Sequence, residues 1–180
     1  LPPAMIGMDG GENVFYISAY TKLIGCALRL GFTMFPEEAR ETLSRVGFGT
    51  APSHLASMVV NEYLRKNKNS YVEGVAKSLQ SKRDAMLRSL ETYFPDSCKW
   101  STPSGGMIIW VELPKGCNTW DVYDKALARG VSYNPGQIFR ADRSGENFLR
   151  LTYTHNSAEE ITEGISILSE VFNEEGFFES

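Results

Sequence analysis

Lys22 and Arg29, with Ser18 and Thr21 just ahead of the lysine, are the side chains whose types and spacing best suit chemistry on a phosphorylated aldehyde. An amine condenses with an aldehyde only after losing its proton, and a low-dielectric site with a cationic neighbour favours that state. Arg29 is placed to be that neighbour. Its planar guanidinium also suits a phosphate, which it can hold through two parallel charge-assisted hydrogen bonds. The hydroxyls of Ser18 and Thr21 add donors for the same anion. The plainer alternatives are a strand-end lysine reaching into water and an arginine in an internal ion pair.

Two strands must position this group. Val14, Phe15, Tyr16 and Ile17 are aromatic or β-branched and predict a buried strand that delivers Lys22 to a turn. Residues 28–35 predict a second strand, whose alternation sets Arg29 on the face opposite Leu28 and Leu30. Asp9 reads as part of the turn before the lysine strand. Farther along, Arg150 stands between Leu149 and Leu151 in another strand pattern and shares a face with Phe148 and Thr152. A part-buried arginine needs an anion, either one of the chain's own carboxylates or that of a ligand, and spacing alone leaves both open.

The remaining pattern is an ordered α/β alternation without repeats. Pro36 to Ala39 opens a short helix, with acids beside its positive dipole end. Gly47, Phe48, Gly49, Thr50, Ala51 and Pro52 break it. Residues 53–65 predict a helix, Asn67 to Asn69 a polar break, and residues 71–93 another helix whose Val72, Val75, Leu79, Met86 and Leu90 form a core stripe. Residues 107–113 alternate as a strand. Asn118 or Thr119 is expected to cap a helix ending at a left-handed Gly130, and Ser157 to Glu160 forms a capping box for the last helix. His54 and His155 lack metal-ligand spacing, so no metal site is expected. Trp100, Trp110 and Trp120 read as core or interface residues.

Composition bounds the function. The chain has 180 residues, 18 basic and 22 acidic, for a formal charge of −4, with no basic patch, so nucleic acid is not an expected partner. No apolar run is long enough to span a membrane. Cys26, Cys98 and Cys117 form no CxxC pair and read as reduced thiols of a cytoplasmic protein.

The segment from residue 18 to 31 resembles the lysine motif of class I/II, fold-type I aminotransferases that use pyridoxal 5'-phosphate. It is nearest the subgroup that includes 2-aminoadipate and kynurenine aminotransferases, Gly-Ser-x-Ser-Lys-x-Leu-x-Pro-Gly-x-Arg-x-Gly. Lys22, Arg29 and Gly31 match, and Thr21 matches conservatively. Ser18 and Ala19 replace Gly-Ser, and Cys26 and Ala27 replace Pro-Gly; the Ala19 change removes one phosphate hydroxyl, which Ser18 is placed to replace. The resemblance continues through Gly105-Gly106-Met107, Gly130-Val131, the segment Asn134-Pro135-Gly136-Gln137-Ile138-Phe139, and Asn147-Phe148-Leu149-Arg150-Leu151-Thr152-Tyr153.

By that resemblance the fold is α/β: residues 1–65 are the C-terminal part of the large cofactor domain with its connecting helix, and residues 66–180 are the complete small domain. Lys22 is then the catalytic lysine, Ser18, Thr21, Lys22 and Arg29 bind pyridoxal 5'-phosphate, and Arg150 grips the α-carboxylate of the substrate. The implied reaction is amino-group exchange between an amino acid and a 2-oxo acid. The family's fold is far longer than this chain, so the resemblance also implies a complementary N-terminal half and a homodimer-type assembly. Two other readings follow from the same residues: an aminotransferase-like ligand-sensing domain of a transcription regulator, and a non-catalytic fragment.

Overall fold

A two-stranded antiparallel hairpin carries the lysine turn. In the computed structural model, which describes residues 3–46 and 51–178, β1 (Tyr16–Ala19) pairs with β2 (Gly31–Met34), from Tyr16 opposite Met34 to Ala19 opposite Gly31. A β-carbon on Gly31 would lie 3.0 Å from the Ser18 carbonyl oxygen, so glycine lets the strands close at the end nearest the turn. Tilted aromatic pairs, Tyr16 with Phe32 and Tyr20 with Phe32, span the hairpin at 6.0 and 5.5 Å.

The expected burial of this strand does not hold. Ile17 is 77% exposed and Phe15 52%, because a two-stranded ribbon has no second layer on it among the described residues. Ahead of the hairpin, α1 (Met5–Asp9) ends at a left-handed Gly10. Asp9, read as part of a turn, is instead the last residue of this helix, and its carboxylate, accepting from the Asn13 backbone N–H at 2.6 Å across the turn that follows, is held below its ordinary pKa by that bond.

A 3-10 turn at Glu37–Ala39 runs into α2 (Arg40–Val46), as the Pro36 signal predicts. The break read from Gly47 to Thr50 lies outside the described residues. Beyond it, α3 (His54–Tyr93) is one helix of 40 residues, and the polar break at Asn67 to Asn69 does not occur. The Asn67 amide donates to the Tyr63 carbonyl at 3.0 Å and the Ser70 hydroxyl to the Asn67 carbonyl at 3.1 Å. These side chains bond back to the helix without interrupting it, at a propensity cost well under 1 kcal/mol each.

The chain packs as two compact units, Leu1–Val75 and Ala76–Ser180. In the second, β3 (Lys99–Trp100), β4 (Ile108–Glu112), β6 (Phe148–Thr152) and β5 (Asn134–Pro135) lie side by side in that order, all antiparallel. The alternation read for residues 107–113 is present: Ile109, Val111 and Leu113 are buried and join Leu149 and Leu151 in one core. Against them lie Met86 and Leu90 of α3 and Ile161, Ile165, Leu168 and Phe172 of α5 (Ala158–Glu174). Val72, at the other end of the predicted stripe, is 41% exposed.

Ser157 caps α5 as expected, its hydroxyl accepting from the Glu160 N–H at 3.1 Å while the Glu160 carboxylate accepts from the Ser157 N–H at 2.7 Å. The expected cap at residue 118 or 119 is not one. Helix α4 (Tyr123–Ala128) starts later, at Val122 without a side-chain cap. Asn118 instead accepts from the Trp120 N–H, and the buried Thr119 hydroxyl donates to the Phe148 carbonyl at 2.8 Å. Gly130 does take the left-handed conformation.

Candidate functional site

The lysine turn is closed by backbone bonds at its base. The Tyr20 N–H donates to the Leu30 carbonyl at 3.0 Å, just beyond the β1–β2 register, and the Tyr20 carbonyl accepts from the Leu23 and Ile24 N–H groups at 3.1 and 2.8 Å. Thr21 and Arg29 therefore flank the mouth of one loop and Lys22 sits in its first tight turn. The Tyr71 hydroxyl of α3 donates to the Leu23 carbonyl, the residue after Lys22, and ties the turn to the helix. Sequence reading missed Tyr71, because only the fold brings it to a residue 48 positions earlier.

Arg29 is not in a strand. Cys26–Leu28 forms a 3-10 turn, and Arg29 follows it in the left-handed region with φ +49° and ψ +40°. The alternation Leu28-Arg29-Leu30 imitates a strand, but only Leu30 is buried. A non-glycine residue held there is strained, and such strain concentrates where a side chain must be aimed. Lys22 and Arg29 are exposed and Ser18 and Thr21 part-buried. Among the described residues none of the four side chains has a hydrogen-bond or ion-pair partner. The hairpin and its turn thus carry an amine, a guanidinium and two hydroxyls with no carboxylate paired to them among the described residues.

Arg150 belongs to the second unit. It lies on β6, directly across from Trp110 of β4 and Asn134 of β5, on the sheet face opposite the core. Its Cζ stands 4.4 Å from the centroid of the Phe139 ring, and its Nε is buried with no hydrogen-bond partner. No acid pairs with it among the described residues, so the internal salt bridge that spacing left open is absent. A buried guanidinium N–H without an acceptor is costly.

The segment before Arg150 is fixed by packing. Gly136 opens a 3-10 turn, Gly136–Phe139, and a β-carbon there would lie 2.6 Å from the Phe148 β-carbon and 2.7 Å from the Gly145 carbonyl oxygen. No side chain fits, and glycine lets the turn close onto β6. The cysteines are not part of either group. Cys98 and Cys117 are buried and Cys26 exposed, all unpaired, and burial pushes the Cys98 thiol up to about 11. Gly105 and Gly106 are exposed, with Gly106 at φ +93°. Among the described residues no cluster of His, Cys, Asp or Glu is arranged to hold a metal, and no helix is long and apolar enough to cross a membrane.

The fold of the chain is shared with parts of solved proteins. The structure of LysN, an alpha-aminoadipate aminotransferase from Thermus thermophilus complexed with N-(5'-phosphopyridoxyl)-L-leucine, matches with a TM-score of 0.86 at 31% identity, over 94% of this chain and 44% of that one. In sequence the chain is 32% identical over 170 residues to aromatic-amino-acid aminotransferase 1 of Thermococcus litoralis, covering 93% of this chain and 41% of the relative. It is also 30% identical over 169 residues to the HTH-type transcriptional regulator YdfD of Bacillus subtilis, covering 92% of this chain and 35% of the regulator. No protein-family model matches. Over the matched residues the chain has the fold of the corresponding part of fold-type I aminotransferases, and in sequence it is similar to aminotransferases and to HTH-type regulators. It spans less than half the length of the curated relatives it matches.

Proposed function

We propose that this chain is the lysine- and arginine-bearing part of a pyridoxal 5'-phosphate-dependent aminotransferase that exchanges an amino group between an amino acid and a 2-oxo acid. The observation that carries this reading is Arg150: a guanidinium with a buried, unpartnered Nε and no acid beside it calls for a carboxylate from outside. The donor set of the lysine turn fits the cofactor. Arg29 suits its phosphate, the hydroxyls of Ser18 and Thr21 add donors, and Lys22 is the amine that attaches its aldehyde. When bound, the group supplies an electron sink for charge developing at the substrate α-carbon.

The chain's own residues do the rest. Lys22 Nζ, once free, is the base that takes the proton from the substrate Cα and later returns one. Arg150 grips the α-carboxylate through two parallel bonds and so fixes the orientation of the substrate about Cα. In this reading residues 1–65 belong to the cofactor domain and residues 66–180 to the small domain. The partner is a complementary half, in a homodimer-type assembly in the cytoplasm. The exposed apolar side chains of the hairpin and the longer relatives support a complementary half, and the unpaired thiols support a reducing compartment.

The likeness to transcription regulators favours a second reading, in which the same residues bind an amine-bearing ligand without turnover. One measurement separates them. The protein carrying this chain together with its complementary half, loaded with pyridoxal 5'-phosphate, is expected to convert an amino-acid donor to its 2-oxo acid in the presence of 2-oxoglutarate or pyruvate as acceptor. A panel of the twenty amino acids, read by mass spectrometry, that gives cofactor binding but no 2-oxo acid would overturn the enzyme in favour of the sensor.

A further inference from the structure

We infer that Phe139 is a positioning residue for Arg150, holding its guanidinium in the plane in which it can grip a carboxylate; the inference rests on the reading of Arg150 given above. Phe139 is 44% exposed, a poor place for a large ring whose task is to fill a core. What it covers is the cation: Arg150 Cζ lies 4.4 Å from the ring centroid, well inside cation–π range. The ring is itself braced. Trp110, the cross-strand neighbour of Arg150, meets Phe139 edge-on at 5.5 Å and 74°, and stacks on Phe148 at 5.9 Å and 25°.

This arrangement has a chemical consequence. All the N–H groups of a guanidinium lie in its plane, so a ring against its face competes with none of them. The long arginine side chain otherwise has many rotamers, and each unproductive one lowers the apparent affinity for a carboxylate. Phe139 with Trp110 removes that freedom before the ligand arrives. The 3-10 turn that brings Phe139 there closes only because Gly136 has no side chain to meet Phe148. The short segment from Asn134 to Phe139 thus serves Arg150 twice, by flanking it at Asn134 and by covering it at Phe139.

The test compares a matched pair of probes on the cofactor-loaded full protein: L-leucine, and 3-methylbutylamine, which is leucine without its carboxylate. Calorimetric Kd values are measured for the parent protein, Phe139→Leu, Phe139→Tyr and Arg150→Gln. Phe139→Leu is expected to weaken leucine about tenfold, the range of a desolvated cation–π contact, and to leave the amine unchanged. Phe139→Tyr, which keeps the ring, is expected to restore leucine binding. Equal weakening of leucine and amine would show a merely structural role and overturn the inference, as would a tyrosine variant no better than leucine at this position. If Arg150→Gln loses leucine while Phe139→Leu keeps it, the inference alone falls. If the parent protein does not prefer leucine to the amine, or if Arg150→Gln leaves leucine binding intact, the reading of Arg150 falls and the inference with it.

Discussion

Borohydride reduction of the cofactor-loaded protein is expected to fix a pyridoxyl label on the peptide carrying Lys22, and Lys22→Ala is expected to abolish it. The expectation follows from the place of Lys22 in the loop that also carries Arg29, and two other lysines are already engaged. Lys82 donates to the Thr154 and His155 carbonyls at 3.0 and 3.3 Å, and Lys66 pairs with Glu62 at 2.8 Å. Lys22 has no such partner among the described residues and shares its loop with Arg29. Loss of the base alone should cost about 10²- to 10⁴-fold in rate, on top of the lost attachment. Peptide mapping by mass spectrometry reads the result. A label that stays on Lys66 or Lys82 in the alanine variant would refute the assignment of Lys22.

Arg150→Lys is expected to lower kcat/KM for amino-acid substrates at least tenfold while the Lys22 label forms normally. Lysine keeps the charge but not the planar fork, and truncating a desolvated, hydrogen-bonded charge pair costs about 2 to 5 kcal/mol. Because Arg150 and Lys22 lie in separate compact units, the two readouts report on separate parts of the chain. An unchanged kcat/KM would mean that another group holds the carboxylate. Loss of the label together with activity would mean that Arg150 supports the fold.

What the sequence revealed and what it hid have a common physical basis. The capping box at Ser157 and Glu160, the left-handed Gly130 and the alternation through Ile109, Val111 and Leu113 are set within a few residues of chain, and each is legible there. The part-buried strand placement of Arg150 was legible for the same reason. Arg29 was misread because a 3-10 turn followed by one left-handed residue can carry the same apolar-polar-apolar triplet as a strand. The polar stretch of α3 was misread because exposed asparagines cost a long helix little. Tyr71 gave no local signal, and Phe139 entered only as the end of a motif, without a role. Their roles arise from contacts between distant segments, although the spacing of Gly136 and Phe139 ahead of the Arg150 strand marked the right segment.

The left-handed backbone at Arg29 sets two demands on one position that no single residue meets. Glycine there would relieve about 1 to 2 kcal/mol of steric cost and give back about 0.4 to 1 kcal/mol through a freer unfolded chain. The fold would thus be unharmed or slightly steadied, while the guanidinium proposed to hold the phosphate would be gone. Lysine would keep a charge and all of the strain. In a selection for thermal tolerance, therefore, Arg29→Gly should be among the accepted changes, and in a selection for cofactor retention it should be among the first discarded. A position where those two rankings diverge is one that the fold maintains at its own expense.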